Sequence, residues 1–165
     1  MKKKAQIIGV MGGGSASPEA ARKALRLGEL IAEQGWILLN GGRSAGIMEA
    51  SAKGARSRGG LTIGILPDDH TGHTSEFIDI PILTGMGNAR NAINVLSSRV
   101  VVVCPGGAGT VSEVALALKT MRPVILLDFD VGKLFADAEK NGLLFRESTP
   151  EGVVERIKAL LARGA

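Results

Sequence analysis

Three glycine-rich segments of the chain carry the residue types that hold an anion. They are Gly9-Val10-Met11-Gly12-Gly13-Gly14-Ser15, Asn40-Gly41-Gly42-Arg43-Ser44-Ala45-Gly46 and Cys104-Pro105-Gly106-Gly107-Ala108-Gly109-Thr110. Glycine admits positive φ and lets an anion come close to backbone N–H groups. Where such a turn runs into a helix, the free amides and partial positive charge of the helix start favour phosphate. The candidate cradle is Gly12, Gly13, Gly41, Gly42, Gly106, Gly107, Ala108 and Gly109, with positive φ expected at Gly107 and Gly109. Thr110 adds a hydroxyl, and Glu113 follows about one helical turn on. That carboxylate is either a ligand or catalytic contact or a first-turn acid complementing the helix dipole. The first segment lacks the Gly-x-Gly-x-x-Gly order of dinucleotide binding, and no Walker lysine follows any of the three, which argues against a nucleoside triphosphatase.

Arg43 and Arg90 follow glycines at junctions between strand and helix, where a guanidinium can bind phosphate oxygens in two-pronged fashion. Asn88 and Asn91 lie three apart at a helix start, so they share a face and offer donors and acceptors to a heterocycle edge. Asn88 serves equally well as an N-cap. His70 and His73 flank Thr71-Gly72 beside Asp68 and Asp69. Without a third well-spaced ligand, that segment reads as a solvated loop, and no metal site is expected. Cys104 reads as a small packed hydrophobe at a strand end. No lysine sits in a context suggesting a pyridoxal phosphate Schiff base.

These turns need a frame, and the hydropathy pattern supplies one. Short apolar runs alternate with longer amphipathic segments, the pattern of βαβ units closing into a parallel sheet. Strands are expected over residues 6–10, 36–39, 61–66, 78–83, 100–103 and 123–127. Pro81 places the fourth at or near an edge. Helices are expected over 17–34, 45–58, 88–97, 111–120 and 149–163. Ser17-Pro18-Glu19 and Thr149-Pro150-Glu151 each combine a cap, a proline and an acid at a helix start. Residues 67–76 have no periodicity and read as a long surface loop.

Composition narrows the function classes. At 165 residues with 45% hydrophobic and 22% charged residues, the chain matches one globular domain over 1–165. The net charge of +4 comes from 20 basic and 16 acidic residues spread over the chain. Aromatics are only 3% with no tyrosine, so base-stacking platforms have no raw material and nucleic acid is not an expected partner. A single cysteine forbids an internal disulfide and points to a reducing cytoplasm. Met1-Lys2-Lys3-Lys4 resembles a signal n-region, but the apolar run 7–11 that follows is too short for one, and no run approaches a membrane span.

The segment Pro105-Gly106-Gly107-Ala108-Gly109-Thr110-Val111-Ser112-Glu113 resembles the PGGxGTxxE signature of the LONELY GUY family, often mislabelled lysine decarboxylases. Its characterised members release the base from cytokinin nucleoside monophosphates. The resemblance implies a Rossmann-like, three-layer α/β/α fold with a mostly parallel sheet and a phosphate site at the third turn. Those hydrolases carry an Arg-Lys pair, whereas here Arg90 is followed by Asn91. Their second glycine motif ends in glycine, and here Glu49 follows Met48. Gly41-Gly42-Arg43, Gly64-Ile65-Leu66-Pro67, residues 84–91 and Asn94-Val95-Leu96-Ser97-Ser98 look more like the molybdenum cofactor carrier proteins, a related branch. That branch implies binding of a phosphorylated pterin, the molybdenum cofactor, without chemistry. On the hydrolase alternative, Glu113 acts at the sugar and Arg90 orients the substrate. Either way, the resemblance implies a homo-oligomer, a dimer or tetramer.

Overall fold

The structure, a computed structural model, describes residues 5–164; the basic stretch Met1-Lys2-Lys3-Lys4 lies outside them. Seven strands form one sheet in the order β4-β3-β2-β1-β5-β6-β7. They are β1 (Ile7–Met11), β2 (Ile37–Asn40), β3 (Thr62–Leu66), β4 (Ile80–Leu83), β5 (Val100–Val103), β6 (Val124–Leu127) and β7 (Leu144–Glu147). Every neighbouring pair is parallel, so the sheet is wholly rather than mostly parallel. The chain steps outward from β1 to β4, then returns to the other side of β1 and continues from β5 to β7. The reversal falls between β1 and β5, and open α/β sheets bind ligands at such a reversal, beyond the carboxyl ends of the strands.

Burial explains the apolar runs. Val100 and Val102 pack with α1 (Pro18–Glu33) and α6 (Pro150–Ala162) on one face of the sheet. Val101 and Val103 pack with α3 (Asn91–Ser97) and α4 (Ala108–Lys119) on the other. A strand covered on both faces has no polar side to alternate, which is why β5 is four consecutive valines. α2 (Gly46–Ser57) lies beside α1 in the first layer. Ser17 caps α1 by accepting from Ala20 N at 3.1 Å, Thr149 caps α6 by accepting from Gly152 N at 3.1 Å, and Pro18 and Pro150 open the two helices. The stripe Val153, Val154, Ile157 and Leu160 of α6 is buried. Among the described residues no helix is long and apolar enough to cross a membrane.

Three departures from the sequence expectations matter for the site. The stretch expected as one helix over 88–97 begins as a 3-10 turn, Gly87–Arg90, before α3. α4 starts three residues earlier than expected, which turns Ala108, Gly109 and Thr110 from loop into first helical turn. A short helix α5 (Ala136–Lys140) and the strand β7 were not expected at all. β7 is an edge strand with only Leu144 buried, so its sequence shows too little apolar character to announce it. β4 forms the opposite edge, where the missing N–H of Pro81 is tolerated.

Candidate functional site

The three glycine turns interlock at the reversal point. Gly13 N donates to Pro105 O at 3.0 Å, tying the turn after β1 to the turn after β5. Ile47 N donates to Gly13 O at 3.0 Å, which docks the start of α2 on the same turn. Asn40, fully buried at the end of β2, shapes the middle turn from inside. Its Nδ2 donates to Met48 O at 2.9 Å and Ser51 Oγ at 3.1 Å, and its Oδ1 accepts from Gly42 N at 2.8 Å. A cleft of about 230 Å³ opens between these turns.

Most of the residues singled out from the sequence meet there. Gly12, Gly13, Gly41, Asn88, Arg90, Asn91, Gly107, Gly109, Thr110 and Glu113 line the cleft. Gly42, Arg43, Gly106 and Ala108 stand outside its lining, while Val10, Met11, Gly14 and Met48 join it. The first two of these are strand-end apolar residues that announce only core. Met48 is reached through the curl of the middle turn, which local spacing does not reveal.

The start of α4 faces this cleft without a side-chain cap, Gly107 taking the N-cap position with φ −96° and ψ −155°. Its first backbone acceptor bond is Val111 N to Gly107 O at 3.1 Å, so the amides of the first turn stay open. An uncapped start of this kind offers free N–H donors suited to an anion. The expectation of positive φ at Gly107 and Gly109 is corrected here, since neither is among the positive-φ glycines. What these positions require is empty space: a Cβ on either would meet no protein atom within 4 Å. Gly109→Val should therefore leave the fold intact while placing a branched side chain in front of the amides. Calorimetry with a phosphorylated ligand should show at least a roughly tenfold loss of affinity, about 1.4 kcal/mol, with an unchanged melting temperature.

Arg90 is the cation of the cleft. It ends the 3-10 turn, and its Nη1 hydrogen-bonds Asn91 Oδ1. Asn91 in turn donates from Nδ2 to Ser112 Oγ at 3.2 Å, so the pair is braced against α4. A Cβ on Gly41 would come within 2.9 Å of Arg90 Nη2 and 2.7 Å of Met48 Sδ; the glycine is what lets the guanidinium lie against the backbone. Arg90 Nε is buried and has no acceptor among the described residues. Burial pulls the guanidinium below its usual range and the nearby Glu113 pulls it back. A half-shielded cation at the cleft wall is suited to an anionic guest.

Glu113 lies deeper, 6% exposed. Its Oε1 accepts from Asn94 Nδ2 at 2.9 Å. Burial pushes its carboxyl up to about 7, against the opposing pulls of the Asn94 hydrogen bond and the Arg90 charge. Asn94 is the functional neighbour missed in the sequence. It lies three and four residues after Asn91 and Arg90, so helical spacing already put it on their face.

Arg43 does not reach the cleft lining. Its Nη2 donates to both oxygens of Asp68, at 3.0 and 3.1 Å. Burial works against the Asp68 anion, but the Arg43 charge and hydrogen bonds hold that carboxyl below its usual range. The loop 67–76 is pinned: Ser44 N donates to His73 O at 3.0 Å, Ser75 N to Gly42 O at 2.9 Å, and Gly85 N to Asp68 O at 3.1 Å. Asp68, His70 and His73, the cluster noted in the sequence, bring one ligand atom each within 4.8 Å of one another, so the third neighbour not evident from the sequence spacing is present. Cys104 is buried outside the cleft lining, and burial pushes its thiol up to about 12.

Residues 5–154 match the SLOG cluster4 family. The molybdenum cofactor binding protein from the phototrophic bacterium Rippkaea orientalis superposes with a TM-score of 0.91 at 51% identity, over 96% of this chain and 98% of that one. The molybdenum cofactor carrier protein from Chlamydomonas reinhardtii gives 0.88 at 42% identity, over 96% and 99%. A cytokinin riboside 5′-monophosphate phosphoribohydrolase from Mycobacterium tuberculosis is 34% identical over 107 residues, 60% of this chain and 56% of that protein.

Proposed function

Because the chain belongs to the SLOG cluster4 family, we propose that it is a molybdenum cofactor carrier or storage protein, one domain over residues 1–165 that holds this phosphorylated pterin without transforming it. The observation that carries the reading is the make-up of the cleft. Open amides at the start of α4 and the Arg90 guanidinium line the same space. Beside them stands Asn91, an uncharged amide where the resembling hydrolases place lysine.

The parts divide as follows. The amides of Gly107, Gly109 and Thr110 and the Arg90 guanidinium take the phosphate; Asn88 and Asn91 offer donors and acceptors to the ring. Gly12, Gly13 and Gly41 present backbone to the ligand while Ile47, the Gly106 turn and Arg90 pack where their side chains would stand, with Gly42, Gly106 and Ala108 shaping the turns from behind. Arg43 acts through Asp68 and the loop 67–76 rather than on the phosphate. Cys104, closed off from the cleft with its thiol held protonated, does not compete with the pterin for molybdenum. The small molecule is joined by one macromolecular partner, a second copy of this chain. The apolar edge at β4, where Ile80, Ile82 and Leu83 are 42–43% exposed, is the surface it covers. The cytoplasm, where Cys104 stays reduced, is the compartment of this carrier.

A second reading has one observation in its favour: a carboxyl, Glu113, sits in the cleft beside a cation. As a phosphoribohydrolase the protein would use Glu113 at the sugar and Arg90 to orient the substrate. Incubation with AMP or an N6-modified AMP separates the two. The carrier leaves the nucleotide intact. Multiple turnovers of released base, cut by orders of magnitude in Glu113→Gln, would decide for the hydrolase.

A further inference from the structure

Glu113 and Asn94 form a pair whose geometry goes beyond phosphate binding. Glu113 projects from α4 and Asn94 from α3, and both are buried, Asn94 completely. One carboxyl oxygen, Oε1, accepts the Asn94 amide at 2.9 Å. The other, Oε2, has no hydrogen-bond partner among the described residues, although Glu113 lines the cleft. Among the described residues no cation comes within 4.0 Å to pair with it. Arg90, the charged residue that acts on it, spends its Nη1 on Asn91. β1 brings only Val10 and Met11 to this wall, and the glycine turns bring no titratable side chain. Arg43 and Asp68 act on Arg90 and largely cancel each other through their own ion pair.

A carboxylate withdrawn from water and held by one neutral amide loses more solvation than it regains. The neutral acid has no such deficit. With Oε1 fixed as the acceptor of Asn94, the proton belongs on Oε2, the oxygen without a protein partner. We propose that Glu113 meets the ligand as a neutral carboxylic acid donating its Oε2–H into the cleft, and that Asn94 is the positioning residue that fixes this orientation. The group it selects on the ligand is a hydrogen-bond acceptor, an oxygen or unprotonated ring nitrogen. A ligand offering a donor at that point can bind only the carboxylate form and is disfavoured below the midpoint. The inference rests on the carrier reading for the identity of the ligand, while the state of the carboxyl is a property of the unloaded protein.

Two measurements decide it. In unloaded protein labelled with ¹³C-glutamate, the side-chain carboxyl resonance absent from Glu113→Gln should titrate with a midpoint near pH 7. In Asn94→Ala the midpoint should move upward, because the amide that favours the anion is gone; a merely structural asparagine would leave it in place. Next, affinity for the molybdenum cofactor is compared at pH 6 and pH 8.5. The wild type should lose roughly tenfold for each pH unit above the midpoint. Glu113→Gln, neutral throughout, should retain only the change that the cofactor phosphate itself contributes through its second ionisation near about pH 6. A carboxyl midpoint at ordinary glutamate values, a midpoint indifferent to Asn94→Ala, or an equal pH dependence in wild type and Glu113→Gln overturns the proposal. Absence of cofactor binding at both pH values would strike the carrier reading instead, and the carboxyl titration then decides the state of Glu113 alone.

Discussion

Arg90→Ala should weaken binding of a phosphorylated pterin by about 1.5–3 kcal/mol, the range for a hydrogen bond to a charged group, and leave binding of its dephosphorylated counterpart nearly untouched. The guanidinium is partly buried against the Gly41 backbone, braced through Asn91, and lines the cleft. The open amides of α4 carry only partial charge and cannot by themselves neutralise a phosphate dianion. Arg90→Lys should recover part of the loss, since a point charge does not reproduce a two-pronged contact. Isothermal calorimetry on both ligands provides the comparison. Equal losses for the two would mean that Arg90 touches the ring or holds the fold. Arg43→Ala should have a much smaller effect on either ligand, because its Nη2 is committed to Asp68.

The second large effect is on stability and depends on pH. Glu113 has its carboxyl raised in the folded protein from an ordinary value near 4.5 to about 7. Below the lower value the folded and unfolded chains both carry the proton and the group contributes no difference. Between the two values the unfolded chain releases its proton while the folded chain keeps it, so stability falls as pH rises. Above about pH 7 the full cost of a buried carboxylate is present, about 3 kcal/mol at 1.36 kcal/mol per pH unit. Glu113→Gln carries no charge at any pH. Urea denaturation of the unloaded proteins should show the variant gaining on the wild type by about 3 kcal/mol between pH 4 and pH 8. A stability difference independent of pH would mean that the carboxyl is solvated or paired in the folded state.

Much of this architecture was legible in the sequence, and the reasons are local. Four consecutive valines at β5, the Ser17-Pro18-Glu19 start of α1 and the Pro81 of β4 each report a single physical requirement, and each element formed where that requirement put it. The glycine turns were legible as a class, because anion binding at a helix start needs little beyond small residues and free amides. Their geometry was not. Whether Gly107 and Gly109 serve through positive φ or through open space depends on where α4 begins, and Ala108 is as good a helix former as a loop residue. Arg43 and Arg90 look equivalent in sequence, yet one faces Asp68 from a loop 25 residues on and the other faces the cleft. Asn40 acts from inside the core at a strand end, where a polar residue leaves no periodic trace, whereas the helical spacing of Asn94 from Arg90 and Asn91 did carry a signal. β7 escaped because an edge strand with one buried residue has almost no apolar signature.

What the purified protein carries tests the carrier function most directly. Native mass spectrometry of protein freshly isolated from cells that make the molybdenum cofactor should show a bound phosphorylated pterin, with molybdenum counted by elemental analysis in the same sample. The carrier reading predicts an adduct approaching one per chain whose mass is unchanged after release, and loss of that adduct in Arg90→Ala. Protein that emerges without pterin or molybdenum, remains empty after incubation with the cofactor, and binds a nucleoside monophosphate in its place would contradict it.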